Sequence, residues 1–522
     1  MARPTGGRVP ARTIVGMETR RDVVEFGLRR WLIVLGVVLA PLMETIDSSI
    51  VNVALPTVEG NLGATLDQAT WIVTGYLTAN VIVIPLTPWL QSRFGRRQYF
   101  MTTIIGFTIA SLLCGFSSSI LQLVLCRIVQ GLFGGGLIAT AQAALRDLFP
   151  PEEVGTGQGV FAVVILVGPI LAPVIGGALI DNASWQWIFF INLLPGIVSA
   201  AIVGTMLRNP EDPTVSPVDG LGVVFIALGL GGLQFMLDEG ERHDWFSDGS
   251  IVAATAISVA GFAAFVWWEL FGTRTPIVDL RVLRSRIVSV GVFLGAGIAA
   301  TLFGTILMVP QYSQSILGFT AYDSGELMFF RAITVMLLAP VVAGLVGSGR
   351  LDARIVMATG YTLTAIGSVL VAWATTSDTS FGHLIPGLMI GGCGTAMLFI
   401  PLLITIQSTT SPQDAPKASA FITLAFQLGA SVASALFVTM LDRRTQFHTD
   451  AIAGSMTLAS PAAHALHSMT PAQLAGLVAA QATTLGFADV AYAVAALAVL
   501  LVPLVFLMAR QPRDMSGGLA LE

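Results

Sequence analysis

Fourteen stretches of twenty or more mainly apolar residues run through this 522-residue chain, and they constrain its fold more than any motif does. Each is long enough to cross the roughly 30 Å hydrocarbon core of a bilayer as a helix. In lipid, a helix is the single-segment structure that satisfies its own backbone hydrogen bonds. The stretches cover 31–55, 71–90, 99–118, 120–144, 159–180, 187–207, 218–237, 250–271, 286–309, 326–347, 354–375, 383–408, 416–441 and 486–509. With 54% hydrophobic and 11% charged residues, the chain departs far from a soluble domain, where about a quarter of residues are charged. An all-α, multi-pass membrane protein is expected.

Short cytoplasmic loops retain arginine and lysine. An inward N-terminus puts twenty-one of the 26 basic residues on the cytoplasmic side and three (Arg242, Arg443, Arg444) opposite, with Arg127 and Arg331 inside spans. This asymmetry predicts two cytoplasmic termini and an even number of spans. Residues 1–30 read as a basic cytoplasmic lead, without the short apolar core of a signal peptide.

A weak repeat divides the chain. Arg93-Phe94-Gly95-Arg96-Arg97 follows the second span and Arg350-Leu351-Asp352-Ala353-Arg354 follows the tenth, each with arginine first and fifth. Matching the two loops gives a six-helix bundle over 31–207, a two-helix insertion over 208–271 and a second six-helix bundle over 272–522. Paired halves around a midplane cavity are how many secondary transporters are built. A long outer loop over 442–485 interrupts the second bundle. There Thr470, Pro471 and the following AQLAGLVAAQ read as a cap, a first-turn proline and an amphipathic helix. That helix is expected to lie on the membrane surface, fold over the pore mouth or dock a partner. His464 and His467 in the same loop lack the further ligands of a metal site.

Polar residues inside spans carry the chemistry. METIDSSIVNVALP, from Met43 to Pro56, places Glu44 and Asp47 at the end of the first apolar run; CRIVQGLFGGG, from Cys126 to Gly136, places Arg127 and Gln130 in the fourth. A charge in hydrocarbon is costly unless it faces water or a partner, so Arg127 is read as facing a cavity, with a structural ion pair as the alternative. Burial and a nearby cation move a carboxyl's proton affinity in opposite directions, so an acid beside a movable arginine can load a proton on one side and release it on the other. Asp47 is the first candidate for that acid, with Arg127 its electrostatic counterweight. Glu44, three residues away on roughly the same helical face, reads as a second carrier, a contact for cationic substrate or an outward-wall residue.

Arg93, Arg96 and Arg97, around the turn at Gly95, form either an ordinary basic loop or a gate latch holding carboxylates or helix C-termini of neighbouring helices. In VGPILAPVIGGAL, residues Gly168, Pro169, Pro173, Gly176 and Gly177 bend a span and let neighbours approach, as a hinge or a leak-proof seam. In the second half, Arg331 follows Asp323 and Glu326 as a structural partner or a substrate contact. Phe330, Phe426 and Gln427, with Phe329 and Phe421, line the cavity or pack. Glu44 and Gln130 complete the expected substrate lining. Lys417, the only lysine, lies between Pro416 and Ala418, which excludes a GxxxxGK[ST] phosphate loop. No nucleophile or metal constellation points to an enzyme, a cofactor or nucleic acid.

Together these segments resemble the major facilitator superfamily, and within it the fourteen-span drug:proton antiporter family of the EmrB/QacA type. The stretches that carry the resemblance are 47–56, WLQSRFGRR, RIVQG, GPILAPVIGG, WQWIFFIN (185–192) and LQFMLDEGERHDWF (233–246). The last two, with the long outer loop, look closest to the EmrB branch. The chain departs from the family pattern at Pro88 and Ser92, where the loop motif usually has glycine and aspartate. It departs again at Ala172, usually glycine, and at Glu44, often neutral. Without the aspartate, the arginine latch lacks its usual partner.

The resemblance implies the major facilitator fold with 6 + 2 + 6 helices, and export of hydrophobic small molecules in exchange for protons by alternating access. It also implies residence in the inner membrane and no cofactor. In a cell with two membranes it implies a periplasmic adaptor protein and an outer-membrane channel as partners. A dedicated exporter of one endogenous lipid, siderophore or metabolite remains open, as does a non-pumping channel or sensor.

Overall fold

The computed structural model describes residues 24–150, 153–209, 219–273, 276–411, 414–455 and 470–508. Every regular element among them is helical. Thirteen helical segments are long and apolar enough to cross a membrane, and α7 (Val154–Asn182), bent by 43° beyond Pro169, makes the fourteenth. A proline inside a helix removes one backbone donor and crowds the preceding turn, which accounts for the bend.

The first half comprises α1 (Gly27–Leu62), a second span built of α2 (Leu66–Val83) and α3 (Thr87–Phe94), then α4 (Arg96–Gly115). A fourth span split into α5 (Ile120–Gly134) and α6 (Leu137–Leu148), then α7, and finally the short α8 (Trp187–Phe190) with α9 (Leu193–Met206) complete it. Helices α10 (Gly220–Glu239) and α11 (Gly249–Trp267) form the insertion. The second half runs through α12 (Arg286–Ser315), α13 (Ala321–Gly347), α14 (Ala353–Ala374), α15 (Phe381–Thr409), α16 (Ala415–Ser455) and α17 (Pro471–Val505). Thr65, Thr320 and Thr470 start α2, α13 and α17 as reciprocal capping boxes, each satisfying amide groups a helix start leaves free.

Close packing of α1 on α7 depends on absent side chains. A Cβ at Gly168 would lie 2.2 Å from Thr45 Oγ1, and one at Gly176 would lie 2.7 Å from Ile50 Cγ1. Gly168 and Gly176 of VGPILAPVIGGAL thus lie where α7 packs closely on α1. Gly168→Ala is expected to lower the stability of the purified protein by about 1–3 kcal/mol, the usual cost of overpacking. Thr45→Ala in the same chain should recover part of the loss in a thermal melt, because it removes the clashing hydroxyl.

The two halves meet differently at the two faces. At the face bearing the arginine loops, one continuous core joins Leu145 and Leu148 of the first half to Val342, Leu403 and Ala418 of the second. Toward the opposite face each half has a smaller core of its own, and the halves still touch between α7 and α13, where a Cβ at Gly325 would lie 2.3 Å from Val174 Cγ2. Ile50, Ile72 and Trp185 belong to one, and Met308, Leu327 and Phe487 to the other. The structure is thus sealed at the basic face.

The insertion is a strut between the halves. From α10, Glu239 accepts a hydrogen bond from Thr74 of α2 (2.9 Å) and Phe235 stacks on Trp71 (5.4 Å between ring centroids). From the same helix Gln234 donates to Ser431 of α16 (2.9 Å), and Trp245 beyond it donates to Thr439 (3.1 Å).

The outer loop differs from its expectation. The helix beginning at Thr470-Pro471 is present, but it continues without a break into the last span as α17, while α16 continues outward to Ser455. A helix of 41 residues is roughly 60 Å long, twice the hydrocarbon core. The reason is a pairing that hydropathy does not show: Asp489 of α17 binds Arg444 (2.5 Å) and His448 (2.8 Å) of α16. His464 and His467 lie outside the described residues.

Candidate transport site

Asp47 occupies the midpart of α1 with no solvent exposure, and Arg127 on α5 is equally buried. Arg127 Nη1 donates to Asp47 Oδ2 at 2.6 Å, forming an ion pair inside the first bundle. The other carboxylate oxygen accepts from Gln130 Nε2 (3.0 Å) and from Asn192 Nδ2 (2.6 Å). Three donors from two helical segments thus converge on one side chain. A buried charge needs this, since pairing alone does not repay desolvation unless the remaining lone pairs are also satisfied.

Arg127 makes further contacts, although its Nη2 has no hydrogen-bond partner among the described residues. Its Nη1 also reaches Gln130 Oε1 (2.7 Å), its Nε donates to the Ile72 carbonyl (3.1 Å), and its guanidinium lies 4.0 Å from the Tyr76 ring centroid. The planar fork suits this many-sided binding in a way an ammonium would not. Gln130, expected to line the substrate cavity, bonds to both members of the ion pair.

Glu44 is one turn away on α1 and also buried, but its surroundings differ. Oε1 accepts one bond from Asn80 Nδ2 (2.8 Å), and Oε2 has no partner among the described residues. Asn80 stands 3.5 Å from the Tyr76 hydroxyl, so Glu44 connects through Asn80 and Tyr76 to the face of Arg127. Two neighbouring acids therefore have unlike roles available. Asp47 is saturated with donors; Glu44 retains an open oxygen.

The arginines of the basic loop contact neighbouring helices of the same bundle. Gly95 has φ +80°, and a Cβ there would lie 2.7 Å from Gln98 Oε1, a conformation and a space that favour glycine. Arg96 pairs with Asp147 on α6 and donates to the Ala143 carbonyl (3.3 Å). The Arg97 backbone donates to Asn209 (2.8 Å), and its guanidinium binds the Gly204 carbonyl in the last turn of α9. Arg93 lies over the Trp89 ring at 5.6 Å. Asp147 supplies the carboxylate that Ser92 does not. It comes from another helix of the same half, which sequence spacing alone could not reveal.

Residues expected around the second-half cavity are spread over several surroundings. Phe330 packs edge-on against Phe381 (6.2 Å), and Phe426 against Phe399 (5.2 Å) and Phe303 (6.3 Å), as aromatic packing. Gln427 is half-buried on α16, and Phe421 packs with Leu86 and Ile226 between the second span and the insertion. Asp323 closes the capping box of α13 and Glu326 is exposed, so neither pairs with Arg331. Among the described residues no group of three or more histidine, cysteine or acidic side chains could hold a metal ion.

Sequence reading missed Asn192, Asn80 and Tyr76. Asn192 closes the WQWIFFIN stretch, and an amide ending an apolar run was the available signal.

The Major Facilitator Superfamily profile matches residues 37–434. The chain is 33% identical over 455 residues to "Multidrug export protein EmrB" of Escherichia coli (strain K12), covering 86% of this chain and 88% of that protein. It is 33% identical over 494 residues to "Fatty acid resistance protein FarB" of Neisseria gonorrhoeae, covering 92% and 96%. Among solved structures, the human organic anion transporter MFSD10 aligns with a TM-score of 0.56 at 13% identity, covering 92% of this chain and 99% of that one. The proton:xylose symporter XylE aligns at 0.57 and 13% identity, covering 90% and 94%. At such identities the two structures speak for the fold alone.

Proposed function

This chain belongs to the Major Facilitator Superfamily, and on that premise we propose that it is a proton-coupled antiporter exporting hydrophobic and amphipathic small molecules by alternating access. The observation that carries the reading is the fully buried Asp47–Arg127 pair at 2.6 Å.

A proton and Arg127 compete for the same carboxylate. Ionised, Asp47 ties α1 to Arg127, Gln130 and Asn192; protonated, it no longer balances the guanidinium, and α1 is released relative to α5. Glu44, open on one oxygen and joined to Arg127 through Asn80 and Tyr76, supplies a second acid whose state the pair feels. One proton moving down about 100 mV releases ~2.3 kcal/mol. Each pH unit adds ~1.36 kcal/mol. Together they support a substrate gradient of several hundredfold.

The same reading puts the basic face in the cytoplasm, the chain in the inner membrane, and the projecting ends of α16 and α17 outside. In a two-membrane cell those ends are where a periplasmic adaptor, linked to an outer-membrane channel, would meet the transporter. Similarity to a protein named for fatty acid resistance supports a second reading, a dedicated exporter of fatty acids. Uptake into inside-out vesicles under an imposed proton gradient, with a panel of dyes and lipids as competitors, separates the two. Broad competition supports multidrug export, restriction to lipids supports the second reading, and uptake indifferent to the gradient would overturn both.

A further inference from the structure

Two complementary atoms in the first bundle are buried without partners among the described residues. Arg127 Nη2 is a guanidinium donor that meets no acceptor, and Glu44 Oε2 is a carboxyl oxygen that meets no donor. Folded interiors rarely leave such groups unmet, because each carries a desolvation cost.

Both residues stand around Tyr76. The Arg127 guanidinium lies 4.0 Å from its ring centroid, and Glu44 reaches its hydroxyl through Asn80. Glu44 precedes Asp47, the present partner of Arg127, by three residues. Side chains so spaced share a face of the helix with Cβ atoms about 5–6 Å apart, so an arginine bonded to one acid can turn to the other. The remaining titratable side chains that interact with these three are Tyr76 on α2 and Tyr99 and Cys114 on α4, which are uncharged in their ordinary forms near pH 7. One guanidinium therefore faces two carboxyls. Burial favours a neutral set, and the set is neutral when one of the two carboxyls carries a proton.

The two acids are also ordered along the helix. α1 starts at the basic face, where Trp31 packs edge-on against Phe149. Three helical residues rise about 4.5 Å, and Glu44 is the nearer of the two to that face.

We propose that Glu44 is the second counter-ion of Arg127 and passes the proton on toward the basic face. While Arg127 binds Asp47, Glu44 is the protonated acid. When a proton from the opposite side adds to Asp47, the guanidinium turns to Glu44, whose proton leaves toward the basic face. One O–H bond forms at Asp47, one breaks at Glu44, and the set stays neutral. Return of Arg127 to Asp47 moves the new proton to Glu44 and resets the pair, so one proton crosses per cycle. Nη2 and Oε2, idle in the present arrangement, are the donor and acceptor of the second one. This rests on the proton-coupled reading above, and deepens it by giving the two acids an order.

Infrared spectroscopy of the purified full-length protein at pH 7.5 tests the exchange, since a protonated carboxyl has a carbonyl stretch that an ionised one lacks. A band present in wild type and missing in Glu44→Gln is expected, which assigns it to protonated Glu44. In Asp47→Asn, where Arg127 has no other carboxylate, the same band should vanish. It should return in Asp47→Asn/Arg127→Gln, a recovery that a disturbed fold does not produce. A Glu44 band that persists in Asp47→Asn would overturn the proposal. So would its absence from wild type, a comparison that holds even if the Asp47 variants fail to fold. Substrate-driven proton flux in wild-type proteoliposomes, measured alongside, keeps the claims apart. Flux with a persisting band in Asp47→Asn removes the exchange and leaves the export reading, whereas the expected bands without any flux remove the export reading.

Discussion

Asp47→Asn is expected to collapse the substrate gradient across proteoliposomes from several hundredfold to none, because the variant would retain no exchangeable proton at the pair to couple to the ~2.3 kcal/mol per 100 mV available. Downhill exchange of labelled substrate should survive. Asparagine keeps an oxygen that can accept from Arg127 Nη1 and occupies the same volume. Removing the acceptor altogether is a different experiment. Asp47→Leu leaves Arg127 buried with its main counter-charge gone, and breaking one side of such a pair costs about 3–5 kcal/mol. Asp47→Asn also removes the charge, so both variants should melt below the wild type, the leucine variant furthest because it offers Arg127 Nη1 no acceptor at all. Arg127→Gln tests the other side of the pair, and should leave the Asp47 carboxylate with two amide donors and no cation.

The second large effect concerns the seal at the basic face. Gln158 on α7 and Gln407 on α15 are buried there, and both polar atoms of each side-chain amide lack partners among the described residues. An unsatisfied buried amide costs about 1–3 kcal/mol, and this cost is relieved when the seal opens and water reaches it. The sealed state is thus held in check by two polar groups it does not satisfy. Replacing both with leucine should stabilise the seal by about 4 kcal/mol, roughly a thousandfold in the opening equilibrium. The expected result is a protein that melts higher and transports far more slowly, while substrate still binds from the outer side. A double variant that transports at the wild-type rate would show that opening does not expose these amides.

Much of this was visible in the residues before the structure. Span positions follow from the physics of lipid, which demands long helices, and hydropathy along a chain is a local property. The importance of Asp47 and Arg127 was legible for the same reason, since a charge inside an apolar run is conspicuous wherever it points. Their contact was not, because it joins residues 80 apart and depends on the rotation of two helices. Asn192, 145 residues from Asp47, and Asp147, 51 from Arg96, were hidden likewise. The outward extension of α16 escaped notice for the opposite reason. Beyond residue 441 the sequence loses its apolar character, although Arg444 and His448 keep the helix paired through Asp489.

In the proposed cycle, Asp47 exchanges its arginine for a proton during transport. Proton movement should be followed with a pH-sensitive dye trapped in proteoliposomes, as substrate is added to the wild type, Asp47→Asn and Glu44→Gln. Substrate-dependent proton flux is expected in the wild type, a smaller but measurable flux in Glu44→Gln, and none in Asp47→Asn. Undiminished flux in Asp47→Asn, with its loss in Glu44→Gln, would contradict the claim and move the coupling site to Glu44.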